Sequence, residues 1–482
     1  MSDILIAQNR FGLGARPDNL ASGDAKFWLR NQLSAYRPFP QMLSALPSRQ
    51  ELAVGVAKSN EGTFFDNIPN LTSKIQTTNS SKNTTPKKSP IDLDLQINAV
   101  ADQYYEDALT ARAQLAITSA TPFIERLVHF WANHFAVSAN SPNVRPYAGA
   151  FEFEAIRPHV LGNFSDMLLA VEQHPAMLIY SDQVNSVGEH SPLGEKTTLE
   201  KNLKNKLVTS ENLAREILQH HTLGERTYTQ EDILEFAKVL TGWTITDNQN
   251  SKAAQNSGRE GQPGTFIFSP LMHEPGIRYI VGKKYSQTGI DQAQAVLKDI
   301  AIHPATAKHI STKLVRHFIS DNPSPALIEK LSQTFLSSSG NLTEVYKVLI
   351  NAPESWQTQA AKFKTPWEWL ISSMRALNTK GVQSQSINSL CAQLGQPIWK
   401  VNSPAGYDDA SANWTTPDVL MHRVEVAELL ASRSGQTIDP KVLASQLLGN
   451  QLSNNTIQTL AQADSLGQAL ALMLVSPEFL RR

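Results

Sequence analysis

Leu342-Thr343-Glu344-Val345-Tyr346-Lys347-Val348-Leu349-Ile350-Asn351-Ala352-Pro353 is the stretch that sets the fold class of this chain. Leu342 is followed at +3, +4 and +7 by Val345, Tyr346 and Leu349, the spacing of one helix face. Pro353 lies 11 positions after Leu342, where its fixed φ and missing N–H suit the first turn of a next helix. The pattern recurs from Phe164 to Pro175 through Met167, Leu168 and Val171, and from Leu466 to Pro477 through Ala469, Leu470 and Met473. A poorer copy runs from Ala293 to Pro304 through Val296, Leu297 and Ile300. Each copy reads as a short amphipathic helix, a turn and the start of another helix. The repeat is too irregular for a solenoid, so the expectation is a mainly α fold: one large helical domain over 1–482 built from helix-turn-helix pairs.

The same periodicity predicts further helices over 92–117, 121–137, 145–159, 210–223, 230–240, 304–320, 366–377 and 416–433. Strand signals are few. Thr265–Phe268 and Arg278–Val281, with the Gly282-Lys283-Lys284-Tyr285 turn, are expected to make one small β-hairpin. Three polar stretches, 59–90, 185–207 and 246–264, lack apolar periodicity and read as loops, the first as a disordered or loop insertion.

Composition narrows the function classes. Hydrophobic residues at 41% and charged residues at 18% fit a globular protein with a substantial core, and a formal charge of −1 leaves no footprint for nucleic acid. Cys391 is the single cysteine, which excludes an internal disulfide and a Cys-rich zinc site. The first residues carry no signal-peptide pattern and no apolar run is long enough to span a membrane, so a cytoplasmic location is expected. The partner is expected to be a small molecule or a protein.

Chemistry-bearing residues concentrate in Ser210-Glu211-Asn212-Leu213-Ala214-Arg215-Glu216-Ile217-Leu218-Gln219-His220-His221-Thr222-Leu223-Gly224. Leu213, Ile217 and Leu218 mark a buried face, His221 falls on that side, and Gly224 is placed to end the helix. Glu211 and Arg215 make a favourable i,i+4 pair that helix physics explains. Glu216 and His221 are left over. On a second helix, His134 shares the core stripe of Phe123, Leu127 and Phe130, while Glu125, His129 and Asn133 share a neighbouring face; Glu125–His129 reads as a surface pair. If His134, Glu216 and His221 meet, they suit a divalent transition metal such as zinc or iron. A metal-free acid/base site and a structural network of buried polar groups fit the same residues, and the three readings stay open.

Other signals are structural. Thr229 with Asp232 forms a capping-box variant, and Lys364-Thr365-Pro366 with Glu368 and Arg375 behind it reads as a capped helix. His174 and His303, each before a proline, are placed to accept an orphan N–H at a helix start. His273 sits on a loop and is a freer candidate. The Pro/Gly-rich run from Leu394 to Trp414 is long enough to lid a cleft. No phosphate-binding Gly loop, Gly-x-Ser-x-Gly elbow or dinucleotide fingerprint is present.

Blocks along nearly the whole chain resemble a large bacterial family, the domain of unknown function 1800. They include Arg10-Phe11-Gly12-Leu13-Gly14, Phe130-Trp131-Ala132-Asn133-His134-Phe135, His174-Pro175-Ala176-Met177-Leu178, Glu211-Asn212-Leu213-Ala214-Arg215-Glu216, Lys313-Leu314-Val315 and Pro404-Ala405-Gly406-Tyr407. The resemblance implies a helical fold and no agreed activity. This chain has Ala132 where relatives carry His, Gln219 where many carry Glu, and Glu274 where Asp is usual. The residues together suggest a helical enzyme, a hydrolase or non-haem metal oxidoreductase. In it His134, Glu216, His221 and Arg215 are catalytic, and Asn133, Asn212 and His273 bind substrate. The alternative is a non-catalytic binding or assembly protein held by a buried ion-pair network.

Overall fold

The computed structural model describes residues 3–61, 90–199, 208–246, 252–381, 384–434 and 438–482. The repeated pattern folds as short helices followed by proline-led turns. Asn341 caps the Leu342–Asn351 helix by accepting the Glu344 N–H, and Pro353 opens the following 3-10 turn. Leu342, Val345, Tyr346 and Leu349 are fully buried, as one helix face should be. Phe164–Glu172 leads into a helix at Pro175, and Ile290–Ala301 into one at Pro304. Two copies meet head to head: Phe164 N–H donates to the Gly340 carbonyl at 2.9 Å and Leu342 N–H to the Gly162 carbonyl at 3.0 Å. The orphan donors at two helix starts are satisfied by each other's leading turn.

The fold is mainly α, with two antiparallel two-stranded sheets among the described residues. The strands pair differently from the expected hairpin. Phe266–Phe268 pairs with Trp243–Ile245, and Arg278–Ile280 pairs with Lys283–Tyr285. Val281 and Gly282 both take positive φ, 49° and 72°, the backbone of a two-residue turn, which closes the second pair locally. Two of the expected loops also hold helix: Pro192–Leu199 lies within 185–207 and Lys252–Ser257 within 246–264. In the first stretch, helix Arg49–Glu61 reaches Glu61 and another starts at Pro90; residues 62–89 lie outside the described part.

Side chains pack into two apolar clusters. One gathers Phe123, Trp131, Phe164, Leu218, Leu314 and Tyr346 with their neighbours. The other joins the long Pro90–Thr118 helix, through Leu109 and Ile117, to residues from Phe363 onward such as Trp369 and Met473. The Pro122–His134 helix contributes only to the first cluster, yet it contacts the long helix. Its residues are buried except for the half-buried His129, Ala132 and Asn133. No helix among the described residues is long and apolar enough to cross a membrane.

Candidate functional site

A cavity of about 430 Å³ opens beside the Pro122–His134 helix. That volume lies in the range, about 300–1,000 Å³, of small-molecule sites. Arg126, His129, Asn133 and His134 form one wall. The Pro304–Phe318 helix supplies Lys313, Arg316 and His317. Trp367 and Glu368 enter from the start of the Pro366–Ala376 helix, and the 394–409 loop closes the remaining side with Trp399, Tyr407 and Asp409. The Pro/Gly-rich run expected to cover a cleft thus forms a wall of one.

Loop and helix are fastened by Asn133. Its Nδ2 donates to the Tyr407 carbonyl at 2.8 Å and its Oδ1 accepts the Tyr407 N–H at 2.8 Å. Gly406 makes the approach possible: its φ is +81°, and a Cβ there would sit 2.2 Å from the Asn133 carbonyl oxygen. Asn133, expected to bind substrate, has its amide committed to the loop. Trp399 adopts φ 53°, uncommon for an aromatic residue, and its indole donates to Glu152 at 2.8 Å. Glu152 also takes the Arg112 Nε at 2.9 Å, and the Arg112 guanidinium lies over the Trp367 ring, 4.3 Å from its centre.

Most charges around the cavity are matched. Arg126 and Arg482 both pair with the Glu368 carboxylate, Arg482 at 2.9 Å, and hold it well below the usual carboxylate range although burial opposes ionisation. Arg126 Nε donates to His317 Nε2 at 3.2 Å, so the proton of that ring lies on Nδ1, facing Asp409 at 3.1 Å. His129 is ordered the other way. Its Nδ1 accepts the Trp367 indole N–H at 3.2 Å, leaving Nε2–H as a donor, and burial keeps the ring neutral by pushing its pKa well below the ordinary value.

Lys313 differs from these groups. It is half-buried, lines the cavity, and has no hydrogen bond or ion pair among the described residues. Burial lowers its pKa to about 8, with Arg316 acting in the same direction and Asp409 against it. Roughly a fifth of such an amine is neutral near pH 7.4, against about one part in a thousand for an ordinary lysine. Arg316, one turn on, is exposed and is likewise without an ion-pair partner among the described residues.

The residues anticipated around Glu216 and His221 assemble elsewhere. The 210–223 segment is α-helical only over Asn212–Glu216, then widens into a π turn over Ile217–His221. His221 Nδ1 meets Glu172 Oε1 at 2.8 Å with both side chains fully buried, and His134 Nε2–H donates to the His221 carbonyl at 3.1 Å. Glu216 lies close by: burial pushes its pKa up to about 7, Glu172 and Asp182 add to that, and His221 opposes it. The three residues of the expected metal trio are oriented as follows. His134 presents its Nε2–H to a backbone oxygen, His221 turns to a carboxylate, and no group of three or more His, Cys, Asp or Glu among the described residues is arranged to hold a metal ion.

Arg215 pairs with Glu211 at 2.9 Å on the surface, Asn212 reaches Asp182 at 3.4 Å in an exposed position, and His273 Nδ1–H donates to the Thr241 carbonyl at 2.9 Å. None of the three lines the cavity. Glu125, read as part of a surface pair, is buried and forks with Arg157 at 2.6 and 3.0 Å. His174 and His303 do accept the N–H of the residue two ahead, and both capping boxes form.

A family model described as "Protein of unknown function (DUF1800)" matches residues 6–481. The chain belongs to this family. No curated protein and no solved structure matches it. On this DUF1800 chain, Ala132 lines the cavity. The residues that sequence reasoning missed here are Lys313, His317, Trp367, Trp399 and Asp409. A signal for the first two was present: His309, Lys313 and His317 recur at i, i+4 and i+8, a polar stripe beside the buried face of Ala307, Ile310, Leu314 and Phe318.

Proposed function

We propose that this DUF1800 protein is an enzyme acting on a small organic anion in the cavity beside Lys313. The observation that carries this reading is the unpartnered Lys313 ammonium in an aromatic-walled cavity whose other buried charges are paired. A half-buried cation with no carboxylate in ion-pair contact is costly unless an anion joins it, so the site favours a negatively charged ligand. Arg316 adds a second positive group at the rim. His129 offers an N–H donor, a suitable group for holding a bound anion.

The anion panel that tests this is simple: acetate, pyruvate, benzoate, citrate and inorganic phosphate, each added in a thermal melt. At least one should raise the melting temperature of the wild type by several degrees, and the Lys313→Met/Arg316→Met double variant should lose that rise. A wild type indifferent to all five, or a rise that survives the double substitution, contradicts the proposal.

The non-catalytic reading draws on a different observation. Arg126, Glu368 and Arg482 satisfy one another in the core, as a network serving architecture alone does. An assembly protein of this kind predicts an anion-insensitive cavity in the same melts, whereas a binding protein would respond to the anion without turning it over.

A further inference from the structure

Among the groups around the cavity, the Lys313 amine alone combines an accessible nitrogen, no internal partner and a neighbour suited to hold an anion. We propose that Lys313 is a covalent nucleophile toward a carbonyl compound that bears a carboxylate or phosphate, forming an imine with it. This rests on the reading of the cavity as an anion site and deepens it by naming the substrate class.

The geometry supports the step at three points. Lys313 lines the cavity without the hydrogen bond or ion pair that would occupy its nitrogen. By contrast, the buried Lys362 and Lys364 are engaged by Asp321 and by Ser372. Arg316 is three residues on, hence on nearly the same helix face, and can pair with the anionic group while the carbonyl carbon lies at the amine. His134 lines the same cavity as Lys313, whose charge opposes its protonation. The lowered pKa noted above provides the neutral amine that attack requires.

The step balances without an oxidant or reductant. The nitrogen lone pair of neutral Lys313 forms a bond to the carbonyl carbon, the carbonyl π pair moves to oxygen, and a proton passes from nitrogen to that oxygen. Loss of the second amine proton with the hydroxyl as one water leaves the carbon–nitrogen double bond.

Glyoxylate with sodium cyanoborohydride, at neutral pH and followed by peptide mass mapping, tests the proposal on the full chain. Lys313 should be alkylated about tenfold or more faster than the exposed Lys308 and Lys330. Propionaldehyde, which lacks the anionic group, should show less preference for Lys313, and Arg316→Met should erase the advantage of glyoxylate. Equal rates at Lys313 and the exposed lysines overturn the nucleophile. Lys313→Arg, which keeps the charge, distinguishes the two levels. If pyruvate still raises its melting temperature while the wild-type Lys313 fails to label selectively, the anion site stands and the imine chemistry falls.

Discussion

At the scale of residues, burial decides which ionisable groups matter. Glu216 and Lys313 are both displaced from their ordinary protonation behaviour, but for different ends. Glu216 sits beside Glu172, Asp182 and His221 within the fold, with Oε2 unpartnered. Its folded pKa is raised to about 7, so it favours folding below the unfolded carboxyl range, and that contribution is lost as pH rises through 7. Glu216→Gln should remove on the order of 2 kcal/mol of the stability lost between pH 5 and 8. Urea unfolding at those two pH values reads it directly, and an unchanged pH slope in the variant would refute the assignment. The sequence places His221 on a buried face and leaves Glu216 as a polar group beside it. It had no means of finding Glu172, which lies 49 positions from His221 and is met only through tertiary packing.

At the scale of elements, two fasteners position the site. The π turn over Ile217–His221 brings the His221 carbonyl to His134 at the end of another helix. The Asn133–Tyr407 pair fixes the loop that walls the cavity. Asn133→Ala removes two part-buried hydrogen bonds and should cost about 2 kcal/mol. Gly406→Ala should cost at least as much, since its Cβ collides with the Asn133 backbone at a positive φ. Both variants should also weaken whichever anion response the wild type shows in thermal melts. A loop that loosens with no change in that response would separate the wall from the site. The sequence pattern located Asn133 and the loop as separate features. Their pairing spans 274 residues and depends on a glycine conformation that periodicity does not encode.

At the scale of the molecule, helix content and the proline-led repeats were legible because local spacing determines them. Strand partners and cavity walls were not. Trp243–Ile245 carried no visible strand signal and gained its partner at Phe266–Phe268 across a 20-residue gap in the chain. The cavity is assembled from the Pro122–His134 helix, the Pro304–Phe318 helix, the start of the Pro366–Ala376 helix and the 394–409 loop. Each piece has a sound structural reading by itself: an amphipathic helix, a capped helix, a Pro/Gly-rich loop. Only their convergence leaves Lys313 facing a cavity without an ion-pair contact among the described residues. A crystal of the protein soaked in pyruvate measures that convergence most directly. The expected result is density for the anion inside the cavity, its carboxylate toward Arg316 and its carbonyl carbon at the Lys313 nitrogen. Pyruvate bound only at the outer surface, with the cavity holding none at concentrations that stabilise the protein, would contradict the account.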